Sequence, residues 1–189
     1  RRLTAALCYI GLARLDRLTI RAFGARLGAE LAPGRGKARI MGVFDFLEQL
    51  EARGATDLHQ SISDFASRRV ATGLTVVVSD FLDPHGAEGG LRLLRTMGHD
   101  VLAVHVTSAR DRDPGVLGEV QFVDAETGER REIDVTPQLA AAYADAWNGH
   151  AAELEQSCGR YDIGYLRANA EQPFEDVVLR TFRMGRFVA

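Results

Sequence analysis

Leu3, Leu7 and Ile10, joined by Ala6 and Ala13, recur at helical spacing, which predicts an amphipathic helix over residues 1–14. In "RLTIRAFG" the pattern changes period: Leu18, Ile20 and Ala22 alternate with Thr19, Arg21 and Phe23, as in a strand with one wetter face. "ARLGAEL" reads as a short strand pairing back across a turn, and "APGRGKA" as a loop. Ile40, Val43, Phe44, Leu47 and Leu50 then lay one apolar stripe on a helix over residues 37–53. Gly54 suits the position just after that helix, because glycine enters the left-handed region without steric cost. Thr56 or Asp57 starts the next helix, which carries Leu58, Ile62 and Phe65.

Two continuous apolar runs follow, "GLTVVVS" and "DVLAVHV", separated by a helix with Leu91, Leu94 and Met97 that ends at Gly98. Such β-branched runs suit strands buried on both faces of a parallel sheet, so this segment predicts a right-handed βαβ unit. "GEVQFVDAETGERREIDV" alternates on both sides of a turn at residues 125–128, which predicts a β-hairpin over 119–135. Thr136-Pro137 opens a helix, with Leu139, Tyr143, Trp147 and Leu154 along one face towards Gly159. A short segment, "RYDIGYLRA", and a last helix from Pro173, with Phe174, Val177, Val178 and Phe182 inward, complete the chain. The sum is one α/β domain, a sandwich around a mainly parallel sheet, with the hairpin as an insertion.

Composition narrows the function classes. At 189 residues the chain can bury a sizeable single core. Twenty-three basic residues against twenty-six acidic ones give −3, so charge makes no case for a nucleic-acid or membrane-surface partner. The arginine pairs Arg1-Arg2, Arg68-Arg69 and Arg130-Arg131 read as solvated faces. Cys8 and Cys158 lie in separate helical stretches and resemble neither a metal pair nor a redox pair, which points to a reducing, cytoplasmic compartment. No signal peptide is expected, and no apolar run approaches the roughly twenty residues that cross a bilayer. The chain opens inside a helix with neither a start methionine nor a cap, so a preceding segment is expected.

The candidate chemistry lies at two places. Ligands of open α/β sheets bind beyond the carboxyl ends of the strands. Asp80 falls there, directly after the first buried run, and Thr56 sits in a helix-to-helix joint that could reach the same edge. A hydroxyl and a carboxylate are hard donors suited to Mg2+, Ca2+ or Mn2+. Taken singly, the residues also fit capping roles: Thr56 or Asp57 for the helix of Leu58, Asp80 for the helix that follows, and Asp83-Pro84 as a turn. Other motifs fail. The Gly-Arg-Gly-Lys of residues 34–37 lacks phosphate-loop spacing, the five histidines show no zinc pattern, and no nucleophile elbow surrounds Ser61 or Ser79. His105 interrupts an apolar strand and reads as a satisfied core histidine, while Asp83 and His85 could shape a rim near Asp80.

"GATDL", "VVVSDFLD", "LRTMGHDVLAVHV", "VDAETGE" and "PFEDVVLRTF", in that order, resemble a von Willebrand factor A domain. More narrowly, they are similar to the bacterial domain-of-unknown-function family 58, whose members are often encoded beside MoxR-type AAA+ ATPases. The resemblance covers nearly the whole chain and implies a von Willebrand factor A-like three-layer sandwich. It also implies a metal-ion-dependent adhesion site, with Thr56 matching the threonine of that site and Asp80 the aspartate that ends the fourth strand. The Asp-x-Ser-x-Ser loop of such sites is absent; the resemblance places it, with the central first strand, upstream of Arg1.

The function implied is that of an interaction domain rather than an enzyme. A divalent ion (Mg2+, or Ca2+ or Mn2+) on Thr56 and Asp80 would leave a coordination position for a partner's acidic side chain, and a MoxR-type ATPase is the implied co-worker. A Mg2+-dependent phosphohydrolase using Asp80 and Asp83, and a metal-free module in which Thr56 and Asp80 are only caps, are the alternatives. A sheet lacking its first strand should also expose a large apolar groove and dissolve poorly alone.

Overall fold

The computed structural model describes residues 1–51, 54–68, 70–113, 115–124 and 128–183. Helix α1 (Arg2–Ala13) precedes strands β1 (Leu18–Phe23) and β2 (Leu27–Gly34). Helices α2 (Ile40–Gln49) and α3 (Leu58–Ser67) lead to β3 (Leu74–Ser79), α4 (Glu88–Thr96), β4 (Asp100–Thr107) and the short α5 (Ala109–Arg112). Strands β5 (Gly118–Val123) and β6 (Arg130–Val135), helix α6 (Pro137–Arg160), strand β7 (Gly164–Asn169) and helix α7 (Phe174–Arg183) complete the order.

The two apolar runs pair in parallel as β3 and β4, in register from Leu74↔Asp100 to Ser79↔His105. Strand β7 joins the other side of β4, also parallel, so the sheet order is β3-β4-β7. Being central, β4 is covered on both faces, and Val101, Leu102, Ala103 and Val104 are all buried. Alternate residues point to opposite faces. Val101 and Ala103, with Val77, meet Leu58 and Ile62 of α3, Leu91 and Leu94 of α4, and Leu154 and Cys158 of α6. Leu102 and Val104, with Leu166 and Ala168, meet Val177 of α7 and Leu3 of α1 on the other face. Strands β1 and β2 form a separate antiparallel hairpin whose Leu18, Ile20 and Leu31 pack on Cys8, Leu12, Val43 and Leu47 of α1 and α2.

Close packing of α3 on α4 depends on Gly90: a Cβ there would lie 2.8 Å from the Ile62 Cδ1 atom. Among the described residues no helix is long and apolar enough to cross a membrane.

Several sequence-based boundaries shift. Strand β2 runs on through Pro33 to Gly34, so "APG" belongs to the hairpin rather than to a loop. Proline is tolerated there because β2 is an edge strand, which needs no outward N–H partner. Lys37–Arg39 is a single 3-10 turn, and α2 ends at Gln49 because Leu50 is already extended. Gly54 does take a positive φ of 75°, but as part of the joint and not as the residue after the helix; Arg53 lies outside the described residues. The segment "RYDIGYLRA" provides the third parallel strand.

The second half of α6 is the deeply buried part, and Trp147 just before it is half-buried against His105 and Arg167. Ala151, Leu154, Ser157 and Cys158 are buried, whereas Leu139 and Tyr143 are exposed. Length explains this: 24 helical residues span about 36 Å, against about 20 Å for the six residues of β7, so the first turns overshoot the sheet. The hairpin is confirmed as β5 pairing with β6, although residues 125–127 of its turn lie outside the described residues. In α7 Val177 is buried and Val178 half-buried; the side chains of Phe174 and Phe182 lie outside the described set. Strand β3 is an edge of its sheet, with Val76 and Val78 half-buried and Leu74 exposed.

Candidate functional site

Two loops and a hairpin end meet at the carboxyl end of the parallel sheet. The first loop is the joint before α3. Asp57 is the N-cap of α3, in extended conformation, and its Oδ1 accepts from Gln60 N at 2.8 Å. This cap satisfies one orphan donor of the helix and contributes about 1 kcal/mol. Asp57 N donates to Gly24 O at 2.9 Å and Ser61 Oγ to the same oxygen at 3.0 Å, which ties the joint to the β1–β2 turn. The capping role thus belongs to Asp57 and not to Thr56.

The second loop follows β3. Ser79 Oγ accepts from Phe81 N at 3.1 Å, and Asp80 Oδ1 accepts from Leu82 N at 3.2 Å. Phe81 takes a positive φ of 55°, rare for a bulky side chain, and its ring is only 1% exposed. Burial of the ring offsets the backbone strain, and Asp80 beside it is exposed. Asp80 does not cap the next helix, since α4 begins at Glu88 with Ala87 as its N-cap. Asp83 turns the opposite way. Its side chain is 2% exposed, its Oδ2 accepts from Leu58 N at 2.6 Å and its Oδ1 from His85 N at 2.8 Å. The turn predicted at Asp83-Pro84 is present, closed by Gly86 N donating to Asp83 O at 3.0 Å.

Thr56 and Asp80 line one recess of about 260 Å³, together with Leu82, Pro84 and Asp124. Asp124 comes from the end of β5, where its backbone closes the hairpin through Asp124 N to Glu129 O and Gly128 N to Asp124 O, both 2.8 Å. Sequence reasoning did not select Asp124. Its local signal is that of a turn residue, and only the return of the hairpin to the sheet end reveals its second neighbourhood. His85 stands over the same region, its Nδ1 3.3 Å from Asp83 Oδ1 and 3.9 Å from Asp57 Oδ2.

Behind the Asp80 loop sits His105, 1% exposed, with Nδ1 2.7 Å from the Tyr165 hydroxyl and its ring edge-on to Phe81 at 5.8 Å. It is the satisfied core histidine that the sequence suggested. Burial pushes its pKa from 6.5 down to about 4; Arg167 and His150 act in the same direction, and Asp80 and Asp111 oppose it. The imidazole is therefore neutral near pH 7 and adds no positive charge beneath the recess.

The donor set can be weighed against a divalent ion. Among the described residues no group of three or more His, Cys, Asp or Glu side chains is placed to hold a metal. What the recess offers is a hydroxyl and two carboxylates, from Thr56, Asp80 and Asp124. That set is too small for a fully dehydrated ion, but it fits Mg2+, which keeps several waters and commonly binds through one or two carboxylates.

Residues 1–153 match the family described as "Protein of unknown function DUF58". An uncharacterized protein of Mycobacterium tuberculosis is 30% identical over 151 residues, covering 72% of this chain and 47% of that protein. An uncharacterized protein of Mycobacterium avium is 34% identical over 106 residues, covering 54% of this chain and 62% of the relative. The chain thus spans about half the length of the Mycobacterium tuberculosis relative. Among solved structures, the conserved hypothetical protein BatB of Bacteroides thetaiotaomicron shares the fold, with a TM-score of 0.54 at 12% identity over 98% of this chain and 84% of that one. An aerotolerance-related membrane protein of Bacteroides fragilis has a TM-score of 0.50 at 13% identity, covering 98% of this chain and 89% of its own.

Proposed function

We propose, from the premise that the chain belongs to the DUF58 family of proteins of unknown function, that it is a metal-dependent protein–protein interaction domain. In this reading a divalent ion, Mg2+ or else Ca2+ or Mn2+, is held by Thr56 and Asp80. The ion supplies a Lewis-acidic position for a carboxylate of the partner. The observation that carries the reading is that Thr56 and Asp80, distant in sequence, line the same recess. Two features support it. Asp80 is exposed, and a second carboxylate, that of Asp124, lines the recess beside Thr56 and Asp80. A von Willebrand factor A-like arrangement, a MoxR-type AAA+ ATPase as co-worker and a cytoplasmic location belong to the same proposal. Two buried free thiols support a reducing compartment.

A phosphohydrolase using Asp80 and Asp83 is less well supported, because both Asp83 oxygens are occupied by backbone N–H groups and the side chain is buried. A module in which Thr56 and Asp80 are only helix caps is disfavoured by the capping geometry itself. The test is calorimetric titration of the protein with Mg2+. Wild type should bind one ion, Thr56→Ala should weaken binding, and Asp80→Ala should remove it while stability falls by about 1 kcal/mol, the loss of the exposed hydrogen bond from Leu82 N. Equal binding by wild type and Asp80→Ala would end the proposal.

A further inference from the structure

We infer that Asp83 is the positioning residue of the recess, a tie between the loop that carries Asp80 and the joint that carries Thr56; the inference rests on the proposed role of those two residues. A carboxylate with a side chain only 2% exposed is costly unless each oxygen is satisfied. Asp83 meets that condition across two segments: Oδ2 accepts from Leu58 N at 2.6 Å, and Oδ1 accepts from its own loop at His85 N, 2.8 Å. Leu58 is the first residue of α3, so its N–H is an orphan donor at the positive end of the helix. The local cap does not serve it, because Asp57 is bonded to Gln60 N. The bond to Asp83 is therefore a tertiary link and not a routine cap.

The link has consequences for the recess. Leu58 lies two positions after Thr56, and Asp83 three after Asp80. Phe81, inverted and buried, anchors the second loop between its two carboxylates. With both loops anchored, the Asp83–Leu58 bond sets how far the Thr56 hydroxyl stands from the Asp80 carboxylate. The link also continues outward, since the same joint is held to Gly24 by Asp57 N and Ser61 Oγ.

The test combines amide hydrogen exchange with Mn2+ titration on wild type, Asp83→Ala and Asp83→Asn. In Asp83→Ala the Leu58 amide should exchange on the order of 10–100-fold faster, the loss expected of a charge-assisted bond, while the Gln60 amide keeps its protection. The Mn2+ dissociation constant should rise by about 10–100-fold, as for removal of an outer partner of a ligand, and Asp83→Asn should recover part of both effects. Unchanged Leu58 exchange in Asp83→Ala overturns the inference, and so does faster exchange with unaltered Mn2+ affinity. If wild type binds no Mn2+, the metal reading falls by itself, and the tie is then decided by Leu58 exchange alone. Should Asp83→Ala fail to fold, Asp83→Asn decides by the same two readouts: partial loss of both supports the tie, and loss of neither overturns it.

Discussion

Lowering the pH from 7 to 5 acts directly on His105, whose imidazole is 1% exposed and bonded to the Tyr165 hydroxyl. In the unfolded chain this group takes up a proton near pH 6.5, whereas burial in the folded protein holds its pKa down at about 4. Between those values the unfolded state binds more protons than the folded one, so stability falls as pH falls through the window, and the contribution of the neutral imidazole is fully lost below about 4. At about 1.4 kcal/mol per pH unit inside the window, the loss from pH 7 to pH 5 comes to about 2 kcal/mol. Against a total stability of about 5–15 kcal/mol this is large, and it should move a urea midpoint by roughly 1 M. The assay is equilibrium urea denaturation of wild type and His105→Gln at pH 7, 6 and 5. Glutamine does not titrate, so the variant should be less stable at pH 7 yet lose about 2 kcal/mol less than wild type on going to pH 5. Groups common to both proteins cancel in the comparison. Identical pH slopes for the two proteins would refute the claim that burial keeps this imidazole neutral.

Three further outcomes follow from packing. Gly90→Ala should cost about 1–3 kcal/mol in chemical denaturation, because the new Cβ meets Ile62 Cδ1 at 2.8 Å and the Leu58 backbone oxygen at 3.3 Å. Gly42→Ala, inside α2 with nothing within 4 Å of the added carbon, should instead stabilise by about 0.4–1 kcal/mol. The thiols of Cys8 and Cys158, both pushed up to about 11 by burial, should resist iodoacetamide at pH 8 in the native protein and react once it is unfolded. Rapid native labelling at either position would show that its helix does not pack as described.

Strand β4 was legible because it is buried on both faces, and such burial leaves an unbroken apolar run in the sequence; β3 carries a similar run although, as an edge strand, it buries only Val77. Strand β7 was harder to assign, since "GYLRAN" mixes buried Leu166 and Ala168 with the exposed Arg167 and carries no run at all. The apolar face of α6 misled because periodicity reports amphipathicity and not what lies opposite: Tyr143 follows the stripe but is exposed. At the site, the pairing of Thr56 with Asp80 came through family resemblance and the position of Asp80 after a strand, whereas neither residue's local context distinguishes a ligand from a cap. The roles of Asp83 and Asp124 depend on contacts with Leu58 and with the recess, made across long stretches of chain, and local sequence carries no mark of either.

The central claim is that Thr56 and Asp80 share one divalent ion, and the most direct measurement is anomalous diffraction from crystals soaked in Mn2+. The account predicts one strong peak in the recess, about 2.0–2.3 Å from a Thr56 or Asp80 oxygen, and its disappearance in Asp80→Ala crystals. An empty recess at saturating Mn2+, or a peak that persists without the Asp80 carboxylate, would contradict it.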